Sequence, residues 1–258
     1  MYSSNRFLKT FLVLVFCAVT AFCHARESLP STDKVSEIMA RVGPQISMEL
    51  MEKGLELGSH IFIRVFKLSG ELEVWVEDNG RYRLFKTYPI CSYSGYLGPK
   101  LKEGDWQSPE GFYRFTPDLM HPRSSYHLAF NIGYPNDYDK LLNRSGNSIM
   151  VHGSCSSKGC FAMKDFRIEE IYTLAHAAFM NGQPSIDIHI FPFHLTGDNL
   201  DKYRFSPWTR FWKNLGEGYD AFEKNHQVPL INVEKGNYVV LPQPVKLALS
   251  KGYAGPRK

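Results

Sequence analysis

The chain lacks several patterns that would assign it to a familiar class of protein. It contains no internal repeat, no low-complexity tract, no phosphate-cradling glycine loop and no serine-centred nucleophile elbow. Its formal net charge is only +4 over 258 residues. Arg6 and Lys9 lie in a segment that we expect to be removed, which leaves a charge near +2, since 4 − 2 = 2. So weak a positive charge argues against a nucleic-acid partner.

Long apolar runs are also scarce. One such run, residues 11–22, follows the basic residues Arg6 and Lys9 and precedes small residues that suit cleavage. The run is short for a membrane span, which needs about 20 apolar residues. An uncleaved anchor is the alternative interpretation. We predict a signal peptide over residues 1–25, no membrane span in the mature chain, and a periplasmic protein secreted by a cleaved N-terminal signal.

Cysteine is scarce too, and its count is informative. Of the five cysteines, two lie in the signal segment, and Cys91, Cys155 and Cys160 remain. An odd number in an oxidising compartment means that at least one thiol stays free or pairs outside the chain. The sequence does not decide between a Cys155–Cys160 disulfide and a Cys91–Cys155 disulfide. Zinc ligation by the three thiols with His152 is a further alternative, although the sequence has no CxxC motif.

The chain is 43% hydrophobic overall. The sequence that remains after the signal is long enough to form one domain with a hydrophobic core and extensions. Residues 26–57 predict a linker and a helical extension of two short helices, because Gly43-Pro44 interrupts the apolar spacing. Residues 58–193 predict a central domain with strands over 61–66, 72–77 and 82–88 and a helix over 166–180 with Asp165 as its cap. Residues 194–258 predict a helical, aromatic extension with a last strand over 238–241. The fold class is therefore mainly β with flanking helices.

Residues 151–162 hold one histidine and two cysteines among small residues, directly after a predicted strand. His152 ends that strand, and Cys160 follows eight positions later (160 − 152 = 8), so the two meet if the loop folds back. A thiol needs a base or a cation to ionise near neutral pH, which makes Cys160 a candidate nucleophile with His152 as its base. The amides of Gly159 and Cys160 would suit an oxyanion hole. From the residues alone, an active site, a stapled turn and a metal site all stay open.

A second segment, residues 91–111, is a long loop rich in glycine and proline. Loops of this length are usually functional or disordered. Trp106 in this loop is a candidate for the wall of a substrate groove, and a packed tryptophan is the alternative. Four lysines in or near the two loops either form a solvated rim or attract a substrate that carries a carboxylate: Lys100, Lys102, Lys158 and Lys164.

Together these segments resemble the signature of the YkuD-type L,D-transpeptidases, where a His-Gly pair at a strand end precedes a Ser-x-Gly-Cys element. The matching residues here are His152-Gly153 and Ser157-Lys158-Gly159-Cys160. The run Ser108-Pro109-Glu110-Gly111-Phe112-Tyr113 resembles the family's loop with its Pro-x-Gly-x-Tyr ending. The short His–Cys spacing and the runs over 90–95 and 131–136 look most like the YafK branch. The similarity covers residues 55–225.

The resemblance implies a YkuD-type β-sandwich over residues 58–193 that acts on peptidoglycan stem peptides without a cofactor. In this family a cysteine, here Cys160, attacks the carbonyl at the L-centre of diaminopimelate, and His152 serves as base and acid. The backbone carbonyl of Gly153 would orient the imidazole. A thioester forms, and an amine or water resolves it. Transfer to another stem and hydrolysis of a lipoprotein link are both open, so the implied partners are peptidoglycan peptides and a wall-linked lipoprotein.

The candidates for substrate binding are Ser157, Gly159, Trp106 and Tyr93. Two positions depart from the family pattern. Lys158 stands where many members have histidine, and Ala162 stands where many have arginine, so no role is carried over to either position. The alternative class of function is a non-catalytic cell-wall-binding module whose cysteine loop is stapled or binds a metal.

Overall fold

The computed structural model describes residues 29–242. The predicted signal peptide, residues 1–25, and the basic C-terminal end lie outside the described residues. The described strands are, in chain order, β1 (Ile61–Phe66), β2 (Glu71–Asp78), β3 (Arg81–Pro89), β4 (Gly111–Phe115), β5 (Met120–His121), β6 (Ala129–Asn131), β7 (Met150–His152), β8 (Phe161–Ala162), β9 (Ile186–Phe191), β10 (Leu230–Glu234) and β11 (Asn237–Leu241). The helices are α1 (Asp33–Glu52), α2 (Asp137–Leu141), α3 (Asp165–Met180), α4 (Gly197–Lys202) and α5 (Thr209–Asn225).

The larger sheet has five strands in the order β3-β2-β1-β9-β4. Strand β1 pairs antiparallel with β2 and parallel with β9. Every residue of β1 is buried, because Ile63 and Val65 join the main core on one face while Phe62 and Phe66 join aromatic clusters on the other. A strand covered on both faces is largely apolar rather than alternating with polar residues, and the exception in β1 is Arg64.

A second sheet of four strands, β5-β6-β7-β8, lies across the main core from the first. Phe130, Val151 and Phe161 from this sheet share the core with β1 and with helices α1 and α3. Strands β7 and β8 run parallel, and His152 pairs with Ala162. The predicted fold class, sheets with flanking helices, is confirmed. Within residues 29–242, no helix combines the length and the apolar character that a membrane crossing requires.

The prediction of two short N-terminal helices is wrong, because α1 continues through Gly43 and Pro44. A proline inside a helix removes one backbone hydrogen bond and costs about 3 kcal/mol. The apolar face of α1, however, is buried at Val35, Ile38, Val42, Ile46 and Leu50. Burying one such side chain contributes roughly 1.5–3 kcal/mol, so several together outweigh the proline.

The C-terminal segment covers the outer face of the five-stranded sheet. Phe222 of α5 packs against Phe62 and Trp75, and Tyr219 packs against Phe66 and Phe191. The buried Arg64 side chain binds Glu73 of β2 and Glu223 of α5. The strand predicted over 238–241 is present as β11, paired with a strand β10 that the sequence analysis missed. The boundary at residue 194 stays a prediction, although the extension shares a hydrophobic cluster with the sheet.

Candidate active site

A cavity of about 560 Å³ opens at the end of strand β7. His152 and Cys160 both line it, together with Met150 and Ser148. The other lining residues are 120–126, which comprise β5 and the turn that follows it, and Pro30 of the segment before α1. The two residues predicted as base and nucleophile therefore face the same space.

The parallel pairing of β7 and β8 brings the two residues together. Strand β7 ends at His152, and β8 begins at Phe161, directly after Cys160. Because Val151 pairs with Phe161, the loop between the strands runs back alongside β7 and leaves Cys160 level with Met150. At the start of this loop the Ser154 N–H donates to Asp165 Oδ1 at 2.7 Å. Asp165 had been predicted as the N-cap of the following helix. That prediction is wrong: Asp165 is the first residue of α3, and its carboxylate holds the loop instead.

The His152 imidazole is fixed in one tautomer. Its Nδ1 lies 2.6 Å from the Gly153 carbonyl oxygen, and a carbonyl only accepts, so Nδ1 carries the proton and Nε2 carries the lone pair. The Tyr126 ring packs against the imidazole with centroids 4.7 Å apart. Burial lowers the pKa of His152 below its ordinary 6.5, and the bond to Gly153 opposes that shift. The imidazole is therefore neutral near pH 7 and able to accept a proton.

Cys160 is the free cysteine among the described residues. The Met150 N–H points at its Sγ at 3.4 Å. Burial raises the pKa of the Cys160 thiol, while the Met150 N–H and the charge of Lys100 both oppose the rise. The resting site thus holds a thiol and a neutral imidazole, and a thiolate forms only when the proton is passed on.

Gly153 is required by close packing. A Cβ built on it would lie 2.6 Å from Asp165 Oδ1, 2.6 Å from the Tyr126 carbonyl oxygen and 2.9 Å from His127 Cβ. Any larger residue would push apart the loop, helix α3 and the opposite wall of the cavity. Because the Gly153 carbonyl also binds the imidazole, that displacement would disturb His152 directly.

Ser157 and Gly159 hold the backbone of Cys160. Ser157 Oγ donates to the Cys160 carbonyl at 2.7 Å and accepts from the Gly159 N–H at 3.2 Å. Ser108 Oγ, from the long loop, donates to the same carbonyl at 3.3 Å. The Gly159 amide, which we predicted as an oxyanion donor, is therefore occupied by Ser157 in this state, and a substrate oxygen would have to compete for it.

Trp106 and Tyr93 are placed differently from His152 and Cys160. Neither lines the cavity, and neither do Ser157 and Gly159. Trp106 is exposed, with the Lys158 ammonium 5.4 Å from its ring centroid. The Tyr93 ring packs 6.4 Å from Phe161, partly buried against the core. A role for any of the four in substrate binding stays a prediction.

The cavity wall over residues 120–126 was missed by the sequence analysis. It is a polar stretch, His121-Pro122-Arg123-Ser124-Ser125-Tyr126, with no periodicity and no motif. The signal that was present is its proline and serine content between two strands. That content marks a turn, and loops often carry functional residues.

A disulfide joins Cys91 to Cys155, with the Cα atoms 5.3 Å apart. The alternative of a Cys155–Cys160 staple is therefore wrong, and Cys160 keeps its thiol. Two of the proposed zinc ligands are also consumed by the bond. Searching residues 29–242 finds no group of three or more His, Cys, Asp or Glu side chains arranged to hold a metal ion. The disulfide joins the loop between His152 and Cys160 to the segment directly after β3.

Comparison with known proteins identifies the family of the chain. Residues 62–185 match the YkuD model of the L,D-transpeptidase catalytic domain. Over 184 residues the chain is 41% identical to YafK of Escherichia coli strain K12, whose name describes it as an L,D-transpeptidase, covering 71% of this chain and 75% of that protein. The chain belongs to the YkuD family of L,D-transpeptidases. YafK of Escherichia coli O157:H7 matches with the same identity and coverage. Family membership supports the predicted activity, a peptidoglycan-modifying L,D-transpeptidase.

Solved structures with some likeness include the helical cell shape determining protein Pgp2 of Campylobacter jejuni. The chain is 24% identical to its K307A mutant, covering 57% of this chain and 54% of that one, with a TM-score of 0.40. Bd1075 of Bdellovibrio bacteriovorus is also 24% identical, covering 60% and 56%, with a TM-score of 0.35. The chain thus spans about half the length of these two proteins.

In this L,D-transpeptidase, a fully buried ion pair holds the loop before β4. Lys67 Nζ lies 3.0 Å from Glu110 Oε1 and also donates to the carbonyls of Gly98 and Ser108, each at 2.9 Å. Glu110 accepts in addition from the Gly98 N–H at 2.6 Å and from Trp212 Nε1 of α5 at 2.8 Å. The loop whose Ser108 contacts the Cys160 carbonyl is thereby fixed to the sheet and to α5.

Proposed function

We propose that this L,D-transpeptidase is a periplasmic cysteine enzyme that acts on peptidoglycan stem peptides at the L-centre of diaminopimelate through a thioester. Cys160 is the nucleophile, and His152 is the base and acid. The observation that carries the proposal is that a free thiol and an imidazole of fixed tautomer line one cavity. The Cys91–Cys155 disulfide supports an oxidising compartment.

The first half-reaction follows from the protonation states of the two side chains. His152 Nε2 takes the proton from Cys160 Sγ as the sulfur attacks the carbonyl carbon of the stem. The carbonyl oxygen becomes an oxyanion in the tetrahedral intermediate. When that intermediate collapses, the bond to the leaving amine breaks and Nε2–H gives the amine its proton. The product is a thioester on Cys160 and a free amine.

The second half-reaction reverses the proton path. An amine or a water enters, His152 Nε2 removes its proton, and the nucleophile attacks the thioester carbonyl. The Cys160 sulfur then leaves and recovers the proton. During both steps the Met150 N–H faces the sulfur on which negative charge develops, which stabilises that charge. Gly153 keeps Nδ1 protonated throughout, so that the lone pair stays on Nε2.

Whether the outcome is transfer or hydrolysis depends on which nucleophile reaches the thioester. We include both in the proposal: transfer to a second stem, and release of a lipoprotein from its link to the peptide. In each case the acyl group and the thioester on Cys160 are the same, while the leaving amine is the terminal residue of the stem in the first case and the lipoprotein amine in the second. The acceptor is an amine in the first case and water in the second.

The test is incubation of purified sacculi with the full chain, followed by separation and mass analysis of the muropeptides. We expect wild type to produce new cross-links, trimmed stems or released lipoprotein, and Cys160→Ala to produce none while keeping the melting temperature of wild type. Turnover that survives in Cys160→Ala would refute the proposal. Binding to sacculi without turnover in wild type would instead favour a non-catalytic wall-binding module.

A further inference from the structure

The cavity beside Cys160 is lined by cationic and neutral groups but by no acidic residue. Its ionisable side chains are His121, Arg123, Tyr126, His152 and Cys160. Among the described residues that line it, none is Asp or Glu. Because His152 is neutral near pH 7, the fixed charge on this surface is the guanidinium of Arg123. A ligand that enters this space therefore meets one positive charge with no internal counter-charge.

The charge of Arg123 is not compensated by another described residue. Other arginines of the described chain bind carboxylates, for example Arg144 with Asp139 and Arg114 with Asp187. Arg123 is exposed and makes no ion pair or hydrogen bond with another described residue. A planar guanidinium presents paired N–H donors that match a carboxylate in a two-point contact. The geometry thus offers an anion site at the wall of the cavity that Cys160 also lines.

The segment that carries Arg123 is anchored at both ends. It follows β5 directly, and the buried Pro122 restricts the backbone before it. After Arg123, the Ser124 N–H donates to the His121 carbonyl at 3.4 Å, and the Tyr126 N–H donates to Ser124 Oγ at 3.0 Å. An anchored backbone lowers the entropy lost when a side chain is ordered by a ligand.

The N-terminal helix adds to that anchoring. Lys34 Nζ donates to the His127 carbonyl at 2.9 Å, and the His127 ring binds Glu169 of α3 at 2.8 Å. Glu169 in turn binds Arg41 of α1. Helix α1 therefore stabilises the end of the cavity wall that carries Arg123. In this way the N-terminal extension contributes to the structure of the site.

Two of the lysines that the sequence analysis considered for attracting a carboxylate are engaged elsewhere. Lys100 is buried and binds Asp105 and the Lys102 carbonyl. Lys158 lies over the Trp106 ring. Neither residue lines the cavity. The charge available to a bound peptide next to Cys160 therefore comes from a different segment of the chain.

We propose that Arg123 is a specificity residue that binds a carboxylate of the acyl-donor stem peptide and so places its scissile carbonyl at Cys160. This inference rests on the proposed function. The carboxylate has two sources, the D-centre of diaminopimelate and the terminal residue that leaves, and both present the same group to the guanidinium.

The test compares donors that differ only in one carboxylate. Synthetic stem tetrapeptides are prepared with both groups free, with the D-centre amidated, and with the C-terminus amidated, and kcat/KM is measured for wild type and Arg123→Gln. We expect wild type to favour the free acid over one of the amides by roughly 10- to 100-fold, the range for a charge-assisted hydrogen bond. Arg123→Gln should lose that preference, mainly through KM, and the amide affected identifies the source.

Two further variants separate charge from folding. Arg123→Lys should keep part of the preference, since an ammonium retains the charge but not the two-point contact. Arg81→Gln is the matched control, an exposed arginine on β3 with no described side-chain partner, and should behave as wild type. The preference should also shrink as salt rises, because the site is open to solvent.

A binding measurement keeps this inference separable from the proposed function. In a Cys160→Ala background, calorimetric titration of the tetrapeptides should show the same acid-over-amide preference, and Arg123→Gln should abolish it. If turnover proves independent of Cys160 but this preference persists, the proposed mechanism fails and the carboxylate site stands. If Arg123→Gln retains the wild-type preference for both amide comparisons, in turnover and in binding, the site is refuted.

Discussion

Replacing Glu110 by Gln tests how strongly the buried ion pair fixes the loop before β4. The Lys67 and Glu110 side chains are both fully buried, and the carboxylate accepts from Lys67, the Gly98 N–H and Trp212 Nε1. A glutamine keeps the size of the side chain but has one acceptor oxygen and two N–H donors. At least one of the three donors would then face an N–H group, and the Lys67 charge would lose its partner.

The expected loss of stability follows from that burial. Removing one partner of a buried pair costs about 3–5 kcal/mol, because the other charge is left without compensation. For a chain of this size each kcal/mol lowers Tm by about 2–4 °C, so the shift in Tm is roughly 6–20 °C. Burial already lowers the pKa of Lys67 below 10.5, with Glu110 opposing the shift. In the variant that pKa falls further, so its stability should rise with pH between the lowered value and 10.5.

Thermal and urea unfolding of four proteins would measure this effect: wild type, Glu110→Gln, Lys67→Met and the double variant. We expect the double variant to lose at least about 1 kcal/mol less than the sum of the single losses, because the residues share one network. Lys140→Gln, which breaks the exposed Lys140–Asp137 pair, is the control and should melt as wild type. Additive losses, each no larger than that of the control, would refute the reasoning.

Three further predictions concern the site itself. Gly153→Ala places a methyl group 2.6 Å from two oxygen atoms and should cost about 1–3 kcal/mol of unfolding free energy and lower kcat/KM; an unchanged Tm would contradict the packing argument. Burial lowers the pKa of His152 below 6.5, and the neutral imidazole is the proposed base. We therefore expect kcat/KM to rise with pH below pH 6.5 and to stay level above it, and a rise that continues above pH 6.5 would contradict this protonation scheme. Iodoacetamide should label Cys160 without reductant, and Cys91 and Cys155 only after reduction; labelling of all three before reduction would contradict the disulfide. Reduction removes a cross-link between residues 64 positions apart and should lower the unfolding free energy by about 4 kcal/mol.

The features that the sequence predicted are those with local signals. The strand over 61–66 coincides with β1, since a run of apolar, β-branched and aromatic residues is sufficient to indicate it. The return of the loop from His152 to Cys160 was also predictable, because only a short segment separates them. In both cases the deciding residues are neighbours in sequence.

The features that the sequence did not predict depend on distant contacts. Helix α1 continues through Pro44 because its apolar face is buried against the core. Helix propensities describe single residues and do not include such burial. Strand β10 alternates between exposed and half-buried residues over five residues, and its apolar Leu230 lies on the exposed side, so the sequence carries little periodic signal. The Cys91–Cys155 pairing joins residues from separate segments, and sequence alone does not determine connectivity. Arg123 reaches the site only because β5 and β6 place its turn opposite Cys160.

The position of β9 has a consequence for the order of folding. This strand lies between β1 and β4, and its Ile188 pairs with Ile63, which is 125 residues earlier, since 188 − 63 = 125. The large sheet is therefore incomplete until the chain beyond the loop from His152 to Cys160 has emerged. Folding dominated by such distant pairings is slow. We expect the three thiols of the described chain to be accessible during that time, so catalysed disulfide exchange should speed the recovery of protein in which Cys91 is paired with Cys155 and Cys160 is left reduced.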